Sequence, residues 1–396
     1  MKRKLYVVLA LMLTFVLLIP VSPAAQGSEE DLEDAAKIEQ GKTGAELTLS
    51  AKSAVLMEAS TGQILYAKNG DEKLPPASVT KIMALLLIME ALEDGRISTE
   101  DTVTTSEHAA SMGGTQIYLE VGEQMSVNDL IKAIAIPSAN DATVAMAEHL
   151  AGSEPEFVRQ MNERAEELGM TNTHFTCCTG LFDDDEHYTT AMDIARMTRE
   201  LLKHEKIFEY STVWMDSLRN GGFGLANTNK MLRTYTGMTG MKTGYTKRSG
   251  HCFSGTATRD GMTLIAVVLS APSSAERFAD TAALLNHGFA MYSVVQRTPE
   301  VPQTIRALRS VKREYPISVS GEATILLKKG EESRLKMTVD LPESVDAPRK
   351  RGEKVGSVLF TLNGQTVAEF DVILEEDVLR AGFFDYFAWL LNQIVF

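Results

Sequence analysis

At Pro75–Glu90 the chain reads PPASVTKIMALLLIME. Every residue from Ile82 to Met89 is apolar, so a helix here has no polar face and belongs in the interior of a folded unit. Pro75 and Pro76 suit a helix entrance, where one N–H goes unpaired in any case. Beside them stand Ser78 and, three residues on, Lys81, which a helix places on one face a turn apart. Free backbone N–H groups and the positive end of the helix dipole favour developing anionic charge at that position. A serine hydroxyl is a poor nucleophile until a base takes its proton. Lysine can be that base only when neutral, and at its reference pKa well under about 0.1% is neutral at pH 7. Burial among Ile82, Leu85 and Leu86, or a neighbouring cation, would lower that pKa.

Upstream, Ser53–Glu58 and Gln63–Ala67 read as a hairpin turning at Ser60-Thr61-Gly62. Downstream, Gly95 ends the apolar helix, and Ser126 caps a predicted helix over Val127–Ile136. Asn140–Leu150 and Glu154–Leu168 carry helical periodicity, and Thr190 with Asp193 resembles a capping box for a helix through Leu202. After Gly240 the pattern turns to strands, Met241–Thr246, His251–Thr258 and Met262–Ser270, followed by a helix over Ala275–Tyr292. Strands at both ends of a helical middle predict one α/β (α+β) domain over residues 49–293, its antiparallel sheet assembled from distant segments around a helical cluster. Beyond Pro299, Leu335, Met337, Val339 and Leu341 alternate with polar residues, and Asn363-Gly364 separates two such runs. They predict a small C-terminal all-β domain, a sandwich over 300–375.

The two ends read differently. Lys2, Arg3 and Lys4 precede the apolar run Leu5–Ile19, and Ser22-Pro23-Ala24-Ala25 offers small residues for cleavage. Residues 1–25 are therefore predicted to be a secretory signal peptide, with an uncleaved N-terminal anchor as the other reading, and 26–48 an acidic flexible leader. Either way the body works outside the cytoplasm. Losing the signal removes three cations from a chain of formal net charge −14, which argues against nucleic acid as a partner. Cys177, Cys178 and Cys252 are too few and odd in number for a disulfide framework, and no bridge is predicted. The last residues, AGFFDYFAWLLNQIVF, predict a helix within 380–396 that gathers Phe383, Phe384, Phe387, Leu390, Leu391, Ile394 and Val395 on one face. At about 24 Å it is shorter than the ~30 Å hydrocarbon core, so it is predicted to lie at a membrane surface as a peripheral anchor. A terminal helix packed on its own domain is the alternative.

The S-x-x-K pair alone is weak evidence, and the chain holds an internal control. Ser333–Lys336 falls in a predicted strand, where positions three apart face opposite sides. Two further patterns add weight: Ser138-Ala139-Asn140 on the connection between two predicted helices, and Lys242-Thr243-Gly244 opening the strand meander. Each has a decoy. Ser126-Val127-Asn128 reads as a plain helix cap, and Lys42-Thr43-Gly44 lies in the leader, where Ala36 replaces the first glycine of a phosphate-binding loop and no strand precedes it.

S-x-x-K, Ser-x-Asn and K-T-G in that order form the signature of penicillin-binding proteins and class A β-lactamases. With PPASVTKIM, IPSANDA, HFTCCTGLFDDDEHYTTAMD and GMKTGYT, the chain resembles the D-alanyl-D-alanine carboxypeptidases among the low-molecular-mass penicillin-binding proteins, over almost its whole length. The resemblance implies a penicillin-binding/β-lactamase-like transpeptidase fold and a serine peptidase without cofactor or metal. Its substrate would be a peptidoglycan stem peptide ending in D-Ala-D-Ala, and it would be acylated by β-lactam antibiotics. It further implies that Ser78 attacks, Lys81 takes the proton, Ser138 relays a proton to the leaving amine and Asn140 holds the lysine and the substrate amide. Lys242 and Thr243 would meet the terminal carboxylate, Gly244 would let the strand approach, and Tyr245 with Ser78 would supply the oxyanion-hole N–H groups. The place of work would be the extracytoplasmic face of the bacterial cytoplasmic membrane. Cys177-Cys178-Thr179-Gly180-Leu181 departs from the asparagine and proline often found before that loop's T-G-L or H-G-L, which puts the loop's hydrogen bonding in doubt.

A class A-like β-lactamase is the nearest rival, but no E-x-x-x-N occurs between Asn140 and Lys242 to deacylate the enzyme, so slow release of penicillin is expected. A non-catalytic peptidoglycan-binding scaffold of the same fold is the rival of another class. No G-x-S-x-G is present, and His187 beside Asp183, Asp184 and Asp185 reads as part of a solvated acidic loop rather than a cation site.

Overall fold

The computed structural model describes residues 47–394, apart from 183, 298 and 322. The predicted signal peptide, most of the leader and the Lys42-Thr43-Gly44 decoy lie outside the described residues.

Strands β1 (Ser53–Glu58) and β2 (Ile64–Lys68) form the expected hairpin. Distant in sequence, β3 (Met238–Thr246), β4 (Gly250–Arg259) and β5 (Met262–Ala271) complete an antiparallel sheet ordered β2-β1-β5-β4-β3. Strand β3 starts three residues earlier than predicted, because Met238 pairs with Ala257 across a register shift at Gly240. Side-chain alternation puts β1 and β5 in two cores at once. Val55, Met57, Ile265, Val267 and Leu269 face the helical cluster, while Ala54, Leu56, Leu264, Ala266 and Val268 face helix α6 (Ser274–Met291).

Helix α1 (Lys81–Glu93) runs through the helical cluster with Ile82–Met89 buried throughout. Around it lie α2 (Val127–Ala135), α3 (Asn140–Ala151), α4 (Glu154–Glu167) and α5 (Ala191–Leu201). Ser126 and Thr190 cap α2 and α5 as predicted, accepting from Asp129 N and Asp193 N. The decoy pattern at Ser126 is thus a helix cap, with Asn128 Oδ1 accepting from Tyr210.

A second unit follows α6. Strand β6 (Tyr292–Arg297) pairs with β9 (Ala323–Lys328), and β7 (Thr304–Leu308), β8 (Glu314–Val319), β10 (Leu335–Asp340), β11 (Ser344–Asp346), β12 (Lys354–Leu362) and β13 (Gln365–Leu374) form a sheet ordered β10-β12-β13-β8-β7-β11. Its core is Val358, Phe360, Val372 and Leu374 from the larger sheet with Ile325 and Leu327 from the smaller one. Ser333 lies in a short 3-10 turn and only Lys336 in β10, which corrects the strand reading of Ser333; the pair still makes no site. Helix α7 (Phe383–Ile394) ends the described chain, with Phe383 and Phe384 about four-fifths exposed.

Candidate active site

Ser78 lies in a 3-10 turn, Ala77–Thr80, so α1 begins at Lys81 rather than at the serine. The two side chains still meet. Lys81 Nζ donates to Ser78 Oγ at 3.0 Å and to the Thr179 carbonyl at 2.9 Å. Lys81 has no solvent exposure, and burial pulls its pKa down to about 8 against the opposing influence of Cys178, Cys177 and Asp141. Roughly one molecule in ten then carries the neutral amine at pH 7, where an exposed lysine has almost none.

Strand β3 closes against this turn at the edge of the sheet. A Cβ on Gly244 would lie 2.8 Å from Pro76 O and 3.0 Å from Ser78 N, so only glycine lets the two backbones approach this closely. Lys242 is buried on the same strand, and its pKa is held well below the lysine range by burial and then by the charges of Lys81 and Arg277. Thr243 Oγ1 donates to Thr228 Oγ1 at 2.7 Å. Tyr245 is exposed and stacks on His251, ring centroids 4.4 Å apart.

The third motif turns between α2 and α3. Ser138 adopts a left-handed φ of 76° and its Oγ is buried with no protein partner; Asn140 Oδ1 is likewise unpaired. Asn140 Nδ2 donates to Gly113 O at 2.8 Å, so the amide steadies the 113–114 loop while the Thr179 carbonyl holds the lysine. The motif is tied to β3 through Thr228, whose N–H donates to Ile136 O and whose hydroxyl accepts from Thr243. Buried hydroxyl and carboxamide oxygens without partners are costly unless a ligand completes them.

Four contributors were not read from the sequence. They are the Thr179 carbonyl, Thr228, Asp141 and Arg277. Asp141 is fully buried and accepts from the N–H groups of Ile117 and Leu119, fixing the loop beside Asn140. Arg277 donates to Gly244 O at 3.1 Å and Cys252 O at 3.3 Å, with its pKa lowered to about 10 by burial. Asp141 follows Asn140 directly and could have been flagged as a buried carboxylate; the others make backbone or hydroxyl contacts that leave no sequence pattern.

The 177–181 loop, which lacks the asparagine and proline, finds hydrogen-bond partners both within itself and on α4. Gly180 N–H donates to Cys177 Sγ at 3.3 Å, and Cys178 N–H to Glu154 Oε1 at 3.1 Å. The three cysteines are free and buried. His187 is not part of a solvated acidic loop, as the sequence suggested; it is 3% exposed and points inward to Thr80. Among the described residues no group of three or more His, Cys, Asp or Glu side chains is placed to hold a metal ion.

Residues 40–273 match the D-alanyl-D-alanine carboxypeptidase family model (peptidase S11), and residues 289–380 match the C-terminal domain model of penicillin-binding protein 5. The D-alanyl-D-alanine carboxypeptidase DacF of Bacillus subtilis is 40% identical over 384 residues, 96% of each chain. DacC of Escherichia coli is 34% identical over 85% of this chain and 86% of its own. Penicillin-binding protein 5 of Haemophilus influenzae superposes with a TM-score of 0.77 at 29% identity, over 85% of this chain and 99% of its own. With both halves matched and a serine paired to a buried lysine against a glycine-ended strand, the chain belongs to the D-alanyl-D-alanine carboxypeptidase family of serine peptidases.

Proposed function

We propose that this carboxypeptidase removes the terminal D-alanine of peptidoglycan stem peptides through an acyl-enzyme on Ser78. The observation that carries the assignment is the buried Lys81 amine, its pKa near 8, donating to Ser78 Oγ at 3.0 Å. As Oγ attacks the carbonyl between the two D-alanines, its proton passes to the neutral amine. The N–H groups of Ser78 and Tyr245 receive the oxyanion. Ser138, whose hydroxyl has no protein partner, relays a proton to the departing amine, and Asn140 Oδ1 accepts from the substrate amide. Lys242 and Thr243 take the terminal carboxylate, with Arg277 adding positive charge behind Gly244. Water then cleaves the ester.

A β-lactam offers an equivalent carbonyl and acylates the same serine. The test uses a fluorescent penicillin and a defined pentapeptide ending in D-Ala-D-Ala. The wild-type chain is expected to take the label and release one D-alanine, and Ser78→Ala to do neither. Labelling that persists in Ser78→Ala overturns the assignment, and fast β-lactam turnover favours the β-lactamase reading instead.

The same reading includes export by the N-terminal segment and a peripheral place on the outer face of the cytoplasmic membrane. Support comes from α7, where Phe383, Phe384, Phe387 and Leu390 are each at least half exposed, more apolar surface than a terminal helix leaves uncovered without a use. Among the described residues no helix is long and apolar enough to cross a membrane.

A further inference from the structure

His187 carries its own wiring. The Thr176 N–H, which can only donate, reaches Nδ1 at 3.0 Å, so Nδ1 is the unprotonated ring nitrogen and Nε2 bears the hydrogen. Nε2–H therefore donates to Thr80 Oγ1 at 2.8 Å, and the Thr80 hydroxyl passes its hydrogen to the Ala77 carbonyl at 2.8 Å. The chain of bonds runs from the 176–180 loop to the residue before Ser78, ending on a backbone held at a left-handed φ of 50°. Both anchored segments carry an acceptor of the Lys81 amine: Ser78 Oγ on the turn and the Thr179 carbonyl on the loop. They are packed without slack, since a Cβ on Gly180 would lie 2.0 Å from Ala77 O.

The geometry points to His187 as a positioning residue that sets the spacing between the two acceptors of Lys81, and hence the approach of the amine to the Ser78 hydroxyl. It touches neither nucleophile nor base. An imidazole in one tautomer suits the task because it offers an acceptor and a donor on opposite sides of a rigid ring. Burial holds it neutral, with a pKa near 4, and the Phe175 ring lies against it at 5.8 Å between centroids.

The proposal rests on the acylation reading above, and its test keeps the two apart. His187→Asn keeps an acceptor near the Thr176 N–H and is too short to reach Thr80, whereas His187→Gln can place an amide N–H there. In the full chain, His187→Asn is expected to lower the penicillin acylation rate and kcat by about tenfold or more, with KM within about twofold. His187→Gln is expected to recover most of that loss. Thr80→Val is expected to reproduce the asparagine defect and to add little to it in the double mutant. In nitrogen-15 spectra of histidine-labelled wild-type protein, His187 should show the Nε2–H tautomer, a readout that stands even if a variant fails to fold. An unchanged kcat in folded His187→Asn, glutamine and asparagine variants that fall equally, or a proton on Nδ1 would overturn the proposal. If Ser78→Ala still takes the label, the acylation reading fails; if it does not and His187→Asn acylates normally, only the positioning role fails.

Discussion

At Lys81 one side chain works as a base because the protein withholds water from it. Burial brings its pKa to about 8, so the neutral fraction rises steeply between pH 6 and 8. kcat/KM for a D-Ala-D-Ala substrate is therefore expected to climb about tenfold per pH unit below 8 and to level above it; a flat pH-rate profile from pH 6 to 8 would contradict this role. Lys81→Gln keeps much of the side chain's bulk and loses the base, and acylation by penicillin should fall by about 10² to 10⁴. His187 titrates in the opposite context, buried neutral. Its folded pKa of about 4 lies below the ordinary imidazole value of 6.5, so the stability tied to the neutral ring is complete above pH 6.5 and is lost as pH falls toward 4. Chemical denaturation of His187→Gln against wild type should show a shallower loss of stability across that window, by up to about 3 kcal/mol.

Two elements set the site at the scale of the chain's regular structure: the turn ahead of α1 and the end of β3. They touch backbone to backbone at Gly244, where an added methyl would meet Pro76 O, Ser78 N and Val79 N, none of which can move alone. Gly244→Ala is expected to cut the acylation rate by about 10² while lowering stability by about 1 to 3 kcal/mol. Stopped-flow labelling with a fluorescent penicillin, read beside thermal unfolding, separates the two effects, and an alanine variant with wild-type acylation would refute the close-approach argument. These elements were also the most legible. Unbroken apolarity from Ile82 to Met89 needs a position buried on all sides, and α1 has one. Thr190 and Ser126 declared their helices by caps that the structure contains. The 3-10 form of Ala77–Thr80 was not legible, because it depends on packing against the Gly180 loop rather than on local preference.

For the whole molecule, the question is what the second unit and its terminal helix contribute. Phe383 and Phe384, 77% and 81% exposed, are the observation behind the proposal that α7 lies on a membrane surface. Removing residues 381–396 is expected to abolish co-sedimentation with phospholipid vesicles while leaving turnover of a soluble pentapeptide within about twofold. Equal sedimentation of the truncated and full chains would argue against the anchor.

Motif identity, motif order and the alternation of strand and helix were determined by the sequence, because hydrophobic period and capping chemistry act over a few neighbouring residues. Only the tertiary structure decided that Thr179, Thr228, Arg277 and an inward-facing His187 frame the Ser78–Lys81 pair. Their contacts join segments from about 70 to 280 through backbone carbonyls and buried hydroxyls, and a partner that offers only its main chain leaves no mark on the order of the side chains.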